Sequence, residues 1–239
     1  MSRFDTKEII HKTREDYNRI AKHFADTRQG AGELEKFIPL IKNDQYILDW
    51  GCGNGRLLRI LRNKLVHYYG VDQSEKLLQI AKKEYVQQIK KGNVKFFSNA
   101  KKEVKFRPQF FDLVFMVASF HHLPDTASRL KLLQEVYSQM KNGARLIITV
   151  WNLESNWAQD KLKKDKSDWE IFGDNDYIVP WKNQDGELIV KRYYHYFTKK
   201  ELKGLLVKAG FTIEDMYYSK GNERVPQKEA RNLVAIAQK

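Results

Sequence analysis

A single cysteine, Cys52, in 239 residues rules out an internal disulfide. No Cys/His group has zinc-finger spacing either, so no metal site is expected. No apolar run approaches the roughly 20 residues that a membrane helix needs. The opening MSRFDTKEIIHKTRED is too polar and too acidic for a signal or transit peptide. A cytoplasmic protein with no membrane partner is expected. No repeat period is visible. Acidic residues are in short supply: 30 Asp and Glu stand against 43 Lys and Arg, a net +13. Such an excess favours an anionic partner such as nucleic acid, through field steering and counterion release, and it is equally compatible with a solvated basic surface. Much of it is local, with nine Lys/Arg and two Glu between Lys82 and Arg107.

What is present reads as one α/β domain spanning 1–239. Strand-like apolar runs at 46–51, 67–72, 94–99, 111–119, 144–151, 212–219 and 231–238 alternate with amphipathic stretches. That alternation predicts a seven-stranded, mostly parallel sheet with helices on both faces. Helices are expected over GRLLRILRNKL, from Ser74 as N-cap to Gly92, through Leu130–Met140 to near Gly143, and from a Thr198/Glu201 capping box to Gly210. The last two strands have no helix between them and should form an antiparallel edge. Residues 1–43 read as a helical cap, 44–151 as the ligand-binding core, 152–197 as an insertion carrying a hairpin, and 198–239 as the last helix and edge strands. Within the insertion, the four Lys of DKLKKDKSDWE (160–170) are matched by three Asp and one Glu, which predicts a neutral, solvated, mobile segment.

The first strand ends in DWGCGNG, with Gly51, Gly53 and Gly55 at alternate positions. Glycines there let the backbone turn tightly and approach a ligand with no Cβ in the way. Asp72, at the end of the second strand, follows Gly55 by 17 residues, where a carboxylate can accept both hydroxyls of a ribose. A dinucleotide loop is G-x-G-x-x-G; here the third Gly comes one residue early and the loop begins with an acid, Asp49. An acid suits a cationic ligand better than a pyrophosphate.

The combination D-x-G-x-G-x-G and V-D resembles the S-adenosylmethionine site of class I methyltransferases, whose fold is Rossmann-like. The resemblance implies S-adenosylmethionine as cofactor, with Asp49 near its methionine end and Asp72 on its ribose. Asn99 and Ala100 would meet the adenine, and Asn99 can accept from the adenine amino group. Tyr17, Gly51, Gly53, Gly55, Gln73 and Ala118 complete the implied cofactor set. Cys52 reads as small filler inside the loop.

Four further blocks, YNRIAKHFADTR (17–28), FHHLPD (120–125), VW (150–151) and DNDYIVPW with KRYYHYF (174–181, 191–197), resemble the tRNA wobble-uridine carboxyl methyltransferases. Those enzymes esterify a 5-carboxymethyluridine at the first anticodon position. The resemblance implies the tRNA anticodon loop as partner, a 5-carboxymethyl or 5-carboxymethoxy group as acceptor, and Arg28, His121, Asp176, Trp181, Arg192, Tyr193 and His195 at the reaction site. The chemistry agrees: a carboxylate with a pKa of about 4 is already ionised near neutrality, so no general base is needed. The site has instead to aim an anion at a cationic sulfonium, the work of Arg and His. Trp151, Trp181, Tyr193 and Tyr194 are candidates to stack on an extruded base.

Alternation in RYYHYF puts Arg192, Tyr194 and Tyr196 on one face and Tyr193, His195 and Phe197 on the other, so only one set can face a ligand. Eukaryotic members of the group require a small zinc-binding activator beside the third strand; here lysines crowd that neighbourhood, which blunts an edge against pairing. Two other readings stay open: a carboxyl methyltransferase acting on a small or carrier-bound acid, and a non-catalytic tRNA-binding scaffold.

Overall fold

The computed structural model describes residues 5–28, 30, 32–173 and 175–239. Asp5 caps α1 (Thr6–Asp26), accepting from the Lys7 amide at 3.2 Å. Ile9, Thr13, Asp16 and Ile20 recur at helical spacing and are the buried stripe of α1. After a 3-10 segment (Gly32–Leu40) come β1 (Tyr46–Trp50), β2 (His67–Asp72), α2 (Glu75–Glu84), α3 (Val86–Lys90), β3 (Val94–Ser98), β4 (Phe111–Val117), α4 (Thr126–Gln139) and β5 (Met140–Trp151). The insertion holds α5 (Asn156–Lys164), β6 (Glu170–Phe172), β7 (Asp176–Lys182) and β8 (Leu188–His195). The chain closes with α6 (Lys199–Lys208), β9 (Thr212–Lys220), β10 (Glu223–Arg224) and β11 (Asn232–Gln238).

The main sheet runs β10-β9-β11-β5-β4-β1-β2-β3. The five strands from β5 to β3 are mutually parallel, and β11 is antiparallel to both β5 and β9. The expected seven strands become eight because the two-residue β10 pairs with β9. Both faces are covered, as the strand–helix alternation predicts: Leu48, Met116 and Ile148 pack under α4 and α6. Ile47, Phe115 and Ile147, one residue out of phase, pack under the 3-10 segment and α2. Among the described residues, no helix is long and apolar enough to cross a membrane.

Several local expectations differ from what forms. GRLLRILRNKL gives only a four-residue 3-10 turn, Arg56–Arg59: its preceding residue, Gly55, has φ 76° and offers no side-chain cap. Leu57, Leu58, Ile60 and Leu61 are all buried, and i/i+3 pairs align in a 3-10 turn as they would not in an α-helix. Ser74 does cap α2, accepting from the Leu77 amide at 3.2 Å, but the helix breaks at Tyr85 before α3. α4 stops at Gln139 because Met140 already pairs with Phe111. The 160–170 segment is solvated as expected, with its lysines exposed, but it is folded: its first half is α5, Lys182 Nζ bridges Asp165 and Asp168 at 2.8 Å each, and Trp169 is buried against Tyr177 and Tyr194.

The capping box is half made. Thr198 Oγ1 accepts from the Glu201 amide at 3.1 Å, whereas the Glu201 carboxylate turns to His195 Nε2 at 2.8 Å. His195 Nδ1 meets Asp176 Oδ1 at 2.8 Å, and Tyr193 donates to the same carboxylate. Both ring nitrogens of His195 thus lie within hydrogen-bond reach of a carboxylate. This clamp ties β7 and β8 to α6, with Arg129 Nη1 reaching Glu201 at 3.5 Å. Asp176, Tyr193 and His195, three of the residues expected at the reaction site, are therefore engaged on the opposite face of the hairpin. Asp174, in the same block, lies outside the described residues. His195→Ala should lower the unfolding free energy by about 1–3 kcal/mol, the cost of leaving half-buried acceptors without donors, and leave cofactor affinity unchanged. Denaturant titration and calorimetry check the two halves of that expectation.

Candidate active site at the sheet switch point

Strand order reverses between β1 and β4, and a cavity of about 730 Å³ opens above their C-terminal ends. Its inner wall is the loop 49–54 with Asp72, Gln73, Asn99, Ala118 and Ser119. Its outer wall is Tyr17 and Phe24 of α1, Arg28, Trp151, Trp157, Arg192, Tyr194 and Arg231.

The inner wall depends on close backbone approach. Gly51 sits at φ 81°, and a Cβ there would lie 2.2 Å from Ser119 Cβ; Ser119 Oγ in turn donates to the Trp50 carbonyl at 2.7 Å. Ala118 holds φ 50°, a strained conformation of the kind that gathers at functional sites. Asp72 receives the Gly53 amide on Oδ2 and the Ser74 amide on Oδ1, both at 2.7 Å, so each oxygen keeps a lone pair for a ribose hydroxyl. Burial raises its pKa against these backbone donors. Asp49 is almost fully buried and accepts from Tyr68 Oη at 2.7 Å. Burial, with the neighbouring Asp72 adding to it, pushes the Asp49 carboxyl up to about 7.

Among the described residues, two buried polar atoms of the inner wall have no partner: Asn99 Oδ1, an acceptor, and Asn54 Nδ2, a donor. An acid that needs a cation, a carboxylate with free lone pairs, a glycine cradle and these two orphans fit S-adenosylmethionine, which is cationic at sulfur and at its ammonium and carries a ribose and an adenine. Of the residues expected to bind the cofactor, Tyr17, Asp49, Gly51, Gly53, Asp72, Gln73, Asn99 and Ala118 line the cavity. Gly55 and Ala100 do not. Gly55 packs on Tyr85 and Phe96, and the Ala100 carbonyl accepts from Arg14 Nη1 at 3.0 Å. Cys52 is buried filler, and burial holds its thiol protonated.

The outer wall is built around Arg192. Its side chain is 2% exposed, stands over Trp181, Tyr194 and Tyr17 at 4.6, 5.2 and 5.5 Å, and donates from Nη1 to Tyr17 Oη at 3.2 Å. Its Nε is buried without a partner, and among the described residues no carboxylate pairs with it. Cation–π contacts return about 0.5–2 kcal/mol each, whereas desolvating an ion costs several kcal/mol. The carboxylate of Asp16, bonded to Lys12 at 2.7 Å, acts on the guanidinium only through space, and the open Nε can take a ligand anion. Arg28 also lines the cavity, its guanidinium 5.6 Å from the Trp181 ring centroid, and burial lowers its pKa, with Arg56 and Arg192 contributing.

Tyr17 passes the polarisation on. Its hydroxyl donates to His122 Nε2 at 2.9 Å, and His122 Nδ1 donates to the Tyr193 carbonyl at 2.7 Å, which fixes a neutral tautomer. Burial drops the His122 pKa to about 3. Of the adjacent histidines it is His122, missed as a site residue, that lines the cavity. His121 lies behind it, accepting on Nδ1 from the Trp151 amide at 3.3 Å and facing the Tyr194 ring. Trp181 is likewise not a wall residue; it donates to His23 Nδ1 at 2.9 Å and supports both arginines from beneath. Asn54, Arg56, Trp157 and Arg231 are further wall residues that motif reading did not single out. Among the described residues, no cluster of three or more His, Cys, Asp or Glu is placed to hold a metal.

A ligand cation beside Asp49 needs the ionised carboxylate. With the free group titrating near 7, cofactor affinity should rise about tenfold between pH 6 and pH 8 as the proton that must leave is lost beforehand. Calorimetry across that range checks it, and Asp49→Asn should bind weakly with a flat profile.

Comparison with known proteins agrees with this geometry. A tRNA (carboxymethyluridine(34)-5-O)-methyltransferase of Schizosaccharomyces pombe is 29% identical over 235 residues, covering 90% of this chain and 93% of its own. The Saccharomyces cerevisiae protein of the same name is 25% identical, covering 73% and 57%. The Xenopus tropicalis tRNA (carboxymethyluridine(34)-5-O)-methyltransferase alkbh8 is 25% identical, and the chain spans 40% of its length. Among solved structures, a SAM-dependent methyltransferase of Methanosarcina mazei has a TM-score of 0.64 at 22% identity, covering 83% of this chain and 94% of its own. A chain from the complex of the Haloferax volcanii Trm112 methyltransferase activator with a methyltransferase has a TM-score of 0.65 at 13% identity, covering 95% and 96%. The family described as Methyltransferase domain matches residues 17–215, well over half of the sequence, and the chain belongs to that family.

Proposed function

We propose that the protein transfers a methyl group from S-adenosylmethionine to the carboxylate of a modified wobble uridine in tRNA, 5-carboxymethyl or 5-carboxymethoxy, and so forms a methyl ester. The single observation that carries this reading is Arg192: a buried guanidinium, in ion-pair contact with no acid among the described residues, on the wall of the cavity that Asp49 and Asp72 fit for the cofactor. S-adenosylmethionine supplies an electrophilic methyl whose carbon–sulfur pair leaves with sulfur, and the acceptor is an anion that has no proton to lose. The chain's own residues therefore need only bind, orient and exclude water. Arg192 and Arg28 receive the carboxylate. Tyr17, polarised by Arg192 and anchored on His122, holds the guanidinium in place. His122, on the cavity wall, is not free to act as a base, because it is held neutral and already spends both nitrogens.

The named activity of the Schizosaccharomyces pombe relative supports tRNA as substrate. β3 ends the sheet, and the lysine-rich segment 82–107 around it suits the phosphate backbone of the anticodon arm better than a further strand, since lysines on an edge oppose pairing. In this reading a zinc-binding activator beside β3 is dispensable.

Incubation with methyl-labelled cofactor and either bulk tRNA or a panel of small acids tests the assignment. Label on tRNA that mild alkali releases is the expected result. Alkali-stable label, or label only on a small acid, would overturn it. Arg192→Met should cut kcat/KM for tRNA by at least about thirtyfold, the low end of the cost of removing one partner of a buried charge pair, with cofactor affinity unchanged.

A further inference from the structure

A line of aromatic rings leads outward from the Arg192 seat. Arg192 stands over Tyr194; Tyr194 stacks on Trp151 at 4.8 Å and 28°; Trp151 meets the edge of Trp157 at 6.4 Å and 77°. Trp157 ends the line at the rim of the cavity and is 38% exposed, while Trp169 in the same insertion is buried. Its position is fixed: it lies in the first turn of α5, which Ser155 caps by accepting from the Ala158 amide at 3.3 Å. The guanidinium of Arg231 lies 3.7 Å from its ring centroid. Arg231 is held in turn, its amide donating to the Ser219 carbonyl and its carbonyl accepting from the Asn152 amide, both at 2.8 Å. Among the described residues no carboxylate pairs with the Arg231 side chain.

Exposure alone would be ordinary for a single indole; what sets Trp157 apart is its place at the cavity mouth, at the end of the aromatic line, with a cation on its ring. It is well explained by a planar partner that is itself attached to an anion. A nucleobase with its phosphate meets both conditions: the ring stacks on Trp157 and the phosphate pairs with Arg231. α5 adds exposed Lys161, Lys163 and Lys164 in its last turn on the same element, a surface that favours RNA over an apolar protein partner.

Resting on the function proposed above, we propose that Trp157, braced by Arg231, is the seat of a nucleotide flanking the modified uridine, so that the aromatic line holds two successive bases of an opened anticodon loop. The uridine lies inward toward Arg192 and its neighbour lies on Trp157. The step is one of binding only, and it assigns α5 of the insertion the role of reading single-stranded RNA, while Arg192 of β8 serves the reaction.

The test compares wild type, Trp157→Ala and Trp157→Phe on tRNA carrying 5-carboxymethyluridine and on the free nucleoside. For Trp157→Ala the KM for tRNA should rise roughly 5- to 150-fold, the range that one base–aromatic stack is worth, a loss far larger than any on the free nucleoside. Trp157→Phe should restore most of the loss. An unchanged KM for tRNA, or an equal fall in nucleoside turnover, would overturn the proposal, the second by showing that Trp157 merely shapes the cavity. A fluorescent 2-aminopurine placed in turn on each side of the uridine supplies a readout independent of methyl transfer. Quenching at one flank by wild type and its loss in Trp157→Ala is expected; no quenching at either flank contradicts the seat. Quenching without any methyl transfer by wild type would leave the seat standing and reject the proposed reaction.

Discussion

A guanidinium removed from water and given rings rather than an acid for company is a costly thing to build, and the arrangement around Arg192 shows how the fold tolerates it. Three ring faces and one phenolic oxygen surround the group. They supply part of what hydration would, and the shortfall is a standing demand for an anion. Each ring comes from a different place: Tyr17 from α1, Trp181 from β7, Tyr194 from β8 beside Arg192 itself. The N-terminal helix and the hairpin have to meet for the seat to exist, so the anion site reports on the docking of one against the other.

The two halves of the cavity follow opposite electrostatic logic. Inside, Asp49 and Asp72 are acids held at the ends of β1 and β2, each made harder to ionise by burial. Outside, Arg28, Arg192 and Arg231 line the wall, and among the described residues no carboxylate pairs with Arg192 or Arg231. A cationic donor belongs with the first set and an anionic acceptor with the second, and the cavity brings the two together. The backbone makes this possible: glycine at position 51 and the left-handed Ala118 let the β1 and β4 loops touch, so that nothing fills the space between the sets.

Much of this was legible in the sequence, for physical reasons that differ from place to place. Alternate glycines after an apolar run, and Asp72 at the next strand end, allow few other structures. The face alternation of RYYHYF correctly separates Arg192 and Tyr194 from Tyr193 and His195, but both faces are polar and aromatic, so the pattern cannot tell which one meets the cavity. That choice is made by Glu201 and Asp176, which capture His195 from sites in α6 and β7. His121 and His122 are neighbours on a short 3-10 turn, and only packing against Trp151 and Tyr17 sorts them. Trp157 and Arg231 lie far apart in sequence and in no motif; an exposed tryptophan just after the capping residue Ser155 was the one available signal. The helix expected over GRLLRILRNKL fails for want of a cap and because its leucines are buried on more than one side.

The central claim is that Arg192 exists to hold the acceptor's carboxylate. Calorimetric binding of 5-carboxymethyluridine and of its methyl ester to the protein loaded with S-adenosylhomocysteine tests that claim most directly. The account predicts that the acid binds far more tightly than the ester and that Arg192→Met abolishes the difference. Equal affinity of the wild-type protein for acid and ester would contradict it.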